Sequence, residues 1–321
     1  SVSMVTANAA TRGMSGGLML ATGASSLGDA GALMLSTGDA GLGGAGSVSV
    51  RLGGGDSGNG GSFLLTAGAT SANAAAGGSV SITAGEGSHP DSSNGGDGGA
   101  IVLDGGAAFG KALLDSGGAI LVRGGAATVG RGGETSIASG ASAEGTSGTI
   151  SFATAGAGAD GMSNALGVIT GASSAGTTGT VALATGVASN SAGGDVSLAV
   201  GAGNYLDGGD VQLTAGLTTA AAQAGGNIVF IGGEGSNANT NDGGDGGDIQ
   251  LFGGEAKGSN INDNAGNVEV FGGTSAYGYG GSVRLSAGVS ASTSSGAVLV
   301  DSPNAGSGGV SGLMVLSTGT S

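Results

Sequence analysis

The chain contains no cysteine and no tryptophan, has only two prolines, and draws 3% of its 321 residues from the aromatics. Without cysteine it forms neither disulfides nor thiolate metal sites, a composition that fits many compartments and excludes none. Positive charge is scarce as well: seven Lys and Arg stand against 22 Asp and Glu, a net charge of -15. A surface of that sign argues against nucleic acid and against an anionic membrane surface as partners. No apolar run approaches the ~18 residues that a membrane span needs. No Asn-x-Ser/Thr sequon occurs, which rules out conventional N-glycosylation and leaves O-linked sugar on Ser and Thr open. No charged-then-apolar leader precedes Ser1, and the chain opens in mid-pattern, so it is expected to be an internal segment of something longer.

What is abundant is glycine, at 79 residues. A quarter glycine without a Gly-X-Y period ordinarily marks a low-complexity chain, because backbone entropy then exceeds what burial can offset. Here the hydrophobic fraction is 39% and the mean hydropathy +0.27. The apolar side chains, mostly Val, Ile, Leu and Ala, are ordered along the chain. Stretches such as Gly78-Ser-Val-Ser-Ile-Thr-Ala-Gly85, Gly179-Thr-Val-Ala-Leu-Ala-Thr-Gly186 and Gly281-Ser-Val-Arg-Leu-Ser-Ala-Gly288 share the form G-x-Φ-x-Φ-x-x-G. Alternation of period two is the signature of extended strand.

With the closing glycine as anchor, units end at 7, 23, 38, 53, 68, 85, 106, 125, 140, 155, 171, 186, 201, 216, 233, 254, 273, 288, 303 and 319. These twenty anchors are glycine except at Ala7, Ala155 and Pro303. The Φ positions lie five and three residues before each anchor, and 39 of the 40 are apolar, Thr135 being the exception. From anchor 23 the spacings run 15, 15, 15, 17, 21, 19, 15, 15, 16 and then repeat, a total of 148 residues. Sequence follows spacing: Glu86-Gly-Ser88 recurs as Glu234-Gly-Ser236, and Asn94-Gly-Gly-Asp-Gly-Gly99 as Asp242-Gly-Gly-Asp-Gly-Gly247. Nine short units therefore make one higher-order repeat, with copies over 1–148 and 149–296 and a partial copy over 297–321.

Units of about fifteen residues are too short for strand, helix and strand, and none shows a 3.6-residue apolar stripe. Identical units whose Φ positions need cover suggest stacking of one coil on the next. The expectation is an all-β chain, a flattened two-layer parallel β-solenoid (β-helix) of about twenty coils running through residues 1–321. One layer would carry Val, Ile and Leu, and the other only the small residues of stretches such as Ala69–Ala76 and Val187–Ala192. At a strand spacing of about 4.8 Å, nine coils would rise roughly 43 Å and twenty roughly 95 Å.

Sites of chemistry are sparse in this pattern. The single histidine, His89, lies in the loop Gly87-Ser-His-Pro-Asp91 and is replaced by Asn237 one repeat later, so it suggests neither a triad nor a paired metal ligand. Basic residues (Arg12, Arg51, Lys111, Arg123, Arg131, Lys257, Arg284) are scattered rather than grouped with acids on one face, unlike a polysaccharide-cleaving β-helix. Gly243-Gly-Asp-Gly-Gly-Asp248 is similar to the calcium-binding nonapeptide of parallel β-rolls and makes Asp245 and Asp248 calcium candidates. Gln250 replaces the apolar residue of that motif, however, and Gly95-Gly-Asp-Gly-Gly-Ala100 lacks its final Asp. A Gly-rich corner with solvated carboxylates is the stronger reading. No Lys or helix follows the glycine clusters, as a phosphate loop requires. No catalysis, cofactor or small-molecule substrate is expected.

The positions two residues before the anchor are more informative. Most are polar or small (Arg51, Thr66, Thr83, Asp104, Arg123, Thr214), but Ile231, Phe252 and Phe271 follow one another in successive units. Exposed apolar series of this kind mark partner surfaces. Apolar residues four before the anchor, among them Leu64, Val102, Leu121 and Val229, add to them as candidates for lateral self-association.

Runs of the Gly-Ser-Val-Ser-Ile-Thr-Ala-Gly type over the whole chain resemble the Gly/Ser/Thr-rich β-solenoid proteins of secreted and cell-surface fibres, including repeat proteins of the tubular flagellar hairs (mastigonemes) of stramenopile algae. The resemblance implies an extracellular structural subunit whose partner is itself, joined end to end and side by side in a filament. An ice-binding or surface-adhesive solenoid is the alternative, with Thr22, Thr37, Thr185 and Thr318 just before their anchors. That column is broken by Leu52 and Val200, and the adjoining one by Arg51, Asp104, Arg123 and Asp301.

Overall fold

A computed structural model describes residues 2–9, 13–89, 95–112, 114–158, 161–239 and 241–319. Arg12, Pro90, Asp91 and Asn94, which figured in the sequence reading, lie outside the described residues. The expected β-solenoid is not formed. Among the described residues there is no β-strand and no helix, only coil punctuated by turns and bends, and no residue is buried. The β-helix assignment falls with it.

The physical reason lies in what period-two alternation reports. It identifies segments whose backbone prefers extension, whereas a strand also needs a second backbone hydrogen-bonded alongside. That pairing is non-local, and here the groups at the ends of ten of the segments bond locally instead. The carbonyl of an anchor glycine accepts from the N–H of the glycine that opens the next unit, closing the intervening loop into a ring. In the first half of the chain the donor and acceptor pairs are Gly78 to Gly68, Gly99 to Gly85, Gly118 to Gly106, Gly133 to Gly125 and Gly148 to Gly140, at 2.8–2.9 Å. In the second half they are Gly226 to Gly216, Gly247 to Gly233, Gly266 to Gly254, Gly281 to Gly273 and Gly296 to Gly288, at 2.8–3.0 Å. Each pair of the second set lies 148 residues after its counterpart in the first, so the higher-order repeat of the sequence is also a repeat of closures.

The chain divides into two units, Ser1–Ala155 and Gly156–Ser321. The division falls at Ala155, one of the three anchors without glycine. Each unit contains five of the ring closures.

Where the anchor is glycine, whether a ring closes follows from the residue just before it. Closed rings have Ala, Gly or Ser there: Ala67, Ala84, Gly105, Gly124 and Ser139, then Ala215, Gly232, Gly253, Gly272 and Ala287. Where Thr22, Thr37, Leu52, Thr170, Thr185 or Val200 occupies that place, the corresponding glycine bond does not form. The opening glycine then rests against the larger side chain. A Cβ added at Gly46 would lie 3.3 Å from the Thr37 Cβ, and one at Gly209 only 2.9 Å from Val200 Cγ1. A branched side chain at this point thus holds the two ends apart. The most covered of the described residues sit at or beside closures, among them Ala67, Ala84, Ala215, Gly232, Gly272 and Ala287, all half-buried.

This rule is testable by exchange. Ala67→Thr and Ala215→Thr should release the Gly78 and Gly226 amides, and Thr37→Ala should let Gly46 close on Gly38. Losing one such bond is worth about 1 kcal/mol, so amide hydrogen exchange at Gly78 and Gly226 should quicken roughly fivefold while the other closures keep their rates.

In the loops after the anchors, short polar turns recur whether or not a ring closes. Ser25, Ser142, Ser173 and Ser275 each accept through Oγ from the amide three residues on, at Gly28, Gly145, Gly176 and Gly278, over 2.8–3.0 Å. Asp115 and its counterpart Asp263 accept from the amides of Ala112 and Asn260 at 2.9 Å, and their own amides donate back to the carbonyls of those residues. Ala74 and Ala222, again 148 residues apart, hold φ at 58° and 59°. That left-handed conformation disfavours a Cβ, and it follows turns in which Thr70 and Thr218 accept from the amides of Ala72 and Ala220.

Candidate self-association surface

The alternation read from the sequence survives as a gradient of exposure rather than as an inside and an outside. In the units anchored at 233, 254 and 273, the residues five before the anchor, Ile228, Ile249 and Val268, are 48%, 54% and 53% exposed. Those two before the anchor, Ile231, Phe252 and Phe271, are 84%, 82% and 82% exposed. Each of the three lies within two residues of a ring closure, at Gly233, Gly254 and Gly273, and the closure restrains the backbone that carries it. Leu64, Val102, Leu121 and Val229 are exposed as well. The structure thus leaves every apolar self-association candidate accessible, and it leaves the Φ positions accessible too.

Glycine spacing at the closures is tighter than in ordinary loops. A Cβ at Gly105, Gly232 or Gly253 would run into the carbonyl oxygen of Gly118, Gly247 or Gly266. In the longest rings a second pinch lies inside the first, where Gly96 donates to the His89 carbonyl and Gly244 to that of Asn237. A Cβ at Gly96 would lie 2.8 Å from the carbonyl carbon of Gly87, so these rings close only because glycine is present on both sides. His89 is therefore placed by its backbone, in a role that Asn237 repeats.

Comparison with protein-family models, with curated proteins and with solved structures finds no match to this chain.

Asp245 sits at the inner pinch of its ring, its carbonyl facing Gly235, and Asp248 follows the closing Gly247. Among the described residues no three His, Asp or Glu side chains gather into a metal-holding group. Lys257 and Glu255 approach to 3.6 Å with both side chains largely in solvent, a pairing worth little to stability. A shallow depression lined by Val50, Arg51, Leu52 and Phe63 brings together residues of two successive units around one guanidinium. It carries no nucleophile or acid–base pair. No helix is long and apolar enough to cross a membrane among the described residues.

Sequence reasoning missed the closures. The available signal was the alternation of small and branched residues just before the anchor, together with the Gly-Gly pairs at 105–106, 124–125, 232–233, 253–254 and 272–273.

Proposed function

We propose that this chain is a non-catalytic structural subunit of an extracellular filament or surface appendage, assembled from copies of itself that cover one another's apolar residues. The observation that carries the reading is the accessible surface. The chain exposes 31205 Å² for a mass of 28.9 kDa, where a compact monomer of that mass would expose ~11,000 Å² and a fully unfolded chain ~42,000 Å². Ordering a backbone costs about 1–2 kcal/mol per residue, and a chain that buries so little has few internal contacts to offset that. Other copies, carrying the same units at the same spacing, are the natural source of cover. Repetition supports this, since each unit presents the same apolar positions and any register that satisfies one satisfies its neighbours.

The net charge of -15 opposes association, and salt screens it over a Debye length of about 10 Å at 0.1 M. Sedimentation velocity should therefore show assemblies that grow with protein concentration and grow further as salt rises from 10 to 500 mM, and negative-stain images should show elongated particles. A monomer at every concentration and salt level would overturn the proposal.

A further inference from the structure

The chain has two Asn-Gly pairs, Asn59-Gly60 and Asn94-Gly95, both in the first copy of the higher-order repeat, and 148 residues later both read Asp-Gly, at Asp207-Gly208 and Asp242-Gly243. Asn94 lies outside the described residues. Asn59 sits in the loop between the anchor Gly53 and the opening Gly61, and no bond closes that loop. Leu52 precedes the anchor, and a Cβ at Gly61 would lie 3.8 Å from the Leu52 Cβ. The Gly60 amide donates no hydrogen bond among the described residues, and a Cβ at Gly60 would meet nothing within 4 Å. We propose that Asn59 is a site of hydrolytic modification, where the Gly60 nitrogen attacks the side-chain amide and water then converts Asn59 to aspartate or isoaspartate.

The chemistry needs only the chain and water. The backbone nitrogen of Gly60 bonds to Cγ of Asn59, the Cγ–Nδ2 bond breaks, and ammonia leaves with the proton that Gly60 gives up. Water adds to either carbonyl of the succinimide so formed. One opening gives aspartate; the other routes the main chain through the side chain and gives isoaspartate. A residue without Cβ on the attacking side leaves the approach to Cγ open. The backbone must also turn until nitrogen and Cγ meet, a rotation that a closed ring would resist and that the open loop after Leu52 permits. The corresponding loop of the second copy, after Val200, is unclosed as well and carries Asp207 where the first carries Asn59. The aspartate product therefore reproduces a loop that the chain already contains. That second loop has an asparagine of its own, Asn204, but Tyr205 follows it and its side chain crowds the attacking nitrogen. Each event adds a negative charge to a chain already at -15.

The reaction proceeds within a single chain and does not depend on assembly. When the full chain is held in mildly alkaline buffer and then digested, mass spectrometry should show Asn59 converting at least roughly tenfold faster than Asn204. A carboxyl methyltransferase specific for isoaspartate should label the same peptide. Gly60→Ala puts a methyl into open space and should slow conversion roughly tenfold by hindering the attack. Leu52→Ala places before the anchor the residue found in closed rings, so Gly61 should bond to Gly53 and conversion should slow roughly fivefold, the protection that one such bond gives. Equal conversion at Asn59 and Asn204, or a rate unaltered in either variant, would overturn the site.

Discussion

Replacing Gly105 or Gly253 with alanine is expected to spring open the ring it borders, whereas alanine at Gly106 or Gly254, one residue away, leaves it closed. The difference lies in where the new methyl goes. At Gly105 and Gly253 it meets a backbone carbonyl across the closure, Gly118 or Gly266, which has no rotamer with which to move aside. At Gly106 and Gly254 it enters open space. Overpacking of this kind costs about 1–3 kcal/mol, and the closing hydrogen bond that is lost with it about 1 kcal/mol more. Amide exchange at Gly118 or Gly266 should accelerate by roughly fivefold in the first pair of variants, the whole protection that a bond of about 1 kcal/mol gives. Equal behaviour of the neighbouring substitutions would show that total glycine content, rather than close approach, governs the loop.

The second large effect concerns the Φ positions. If copies of the chain cover these residues, changing Ile249 and Leu251 together to serine should raise the concentration for assembly about a hundredfold, because each side chain contributes roughly 1.5–3 kcal/mol when fully covered. The chain also contains the reverse experiment. Thr135 is polar where its counterpart in the second copy is Val283, so Thr135→Val should lower the assembly concentration by up to about tenfold. Light scattering against concentration measures both. A serine pair that assembles like the parent chain would mean that these residues stay in solvent within the assembly.

The two substitutions act on different links of one chain of cause. Closures limit how far the backbone beside Ile231, Phe252 and Phe271 can wander, and the Φ residues supply apolar area along the extended segments. Opening the ring at Gly253 should therefore loosen the presentation of Phe252 without changing its chemistry, while the serine pair removes area and leaves the closures intact. Measuring exchange and assembly on both variants separates the two contributions.

Much of the organisation was legible from residues alone. Anchors and the 148-residue period are local or periodic properties, and they reappear as glycine closures at the same interval. Ile231, Phe252 and Phe271 stand out in the sequence for the same reason, at positions filled by Thr, Asp and Arg one repeat earlier, although their exposure does not set them apart where no described residue is buried. The error concerned pairing. Glycine-flanked alternation such as Gly247-Asp-Ile-Gln-Leu-Phe-Gly-Gly254 suits a strand in a sheet and a lone extended segment equally well. Nothing local distinguishes them, because the distinction lies in whether a second segment comes alongside.

Residue order by itself determined which units are equivalent and where glycines bound them, because those outcomes depend on side-chain size and counting. Only the tertiary structure decided where the end-of-segment hydrogen bonds go. They close rings from glycine to glycine, as at Gly118 and Gly106, because two residues without Cβ atoms can approach closely enough to bond across one loop, and that approach is a matter of three-dimensional distance.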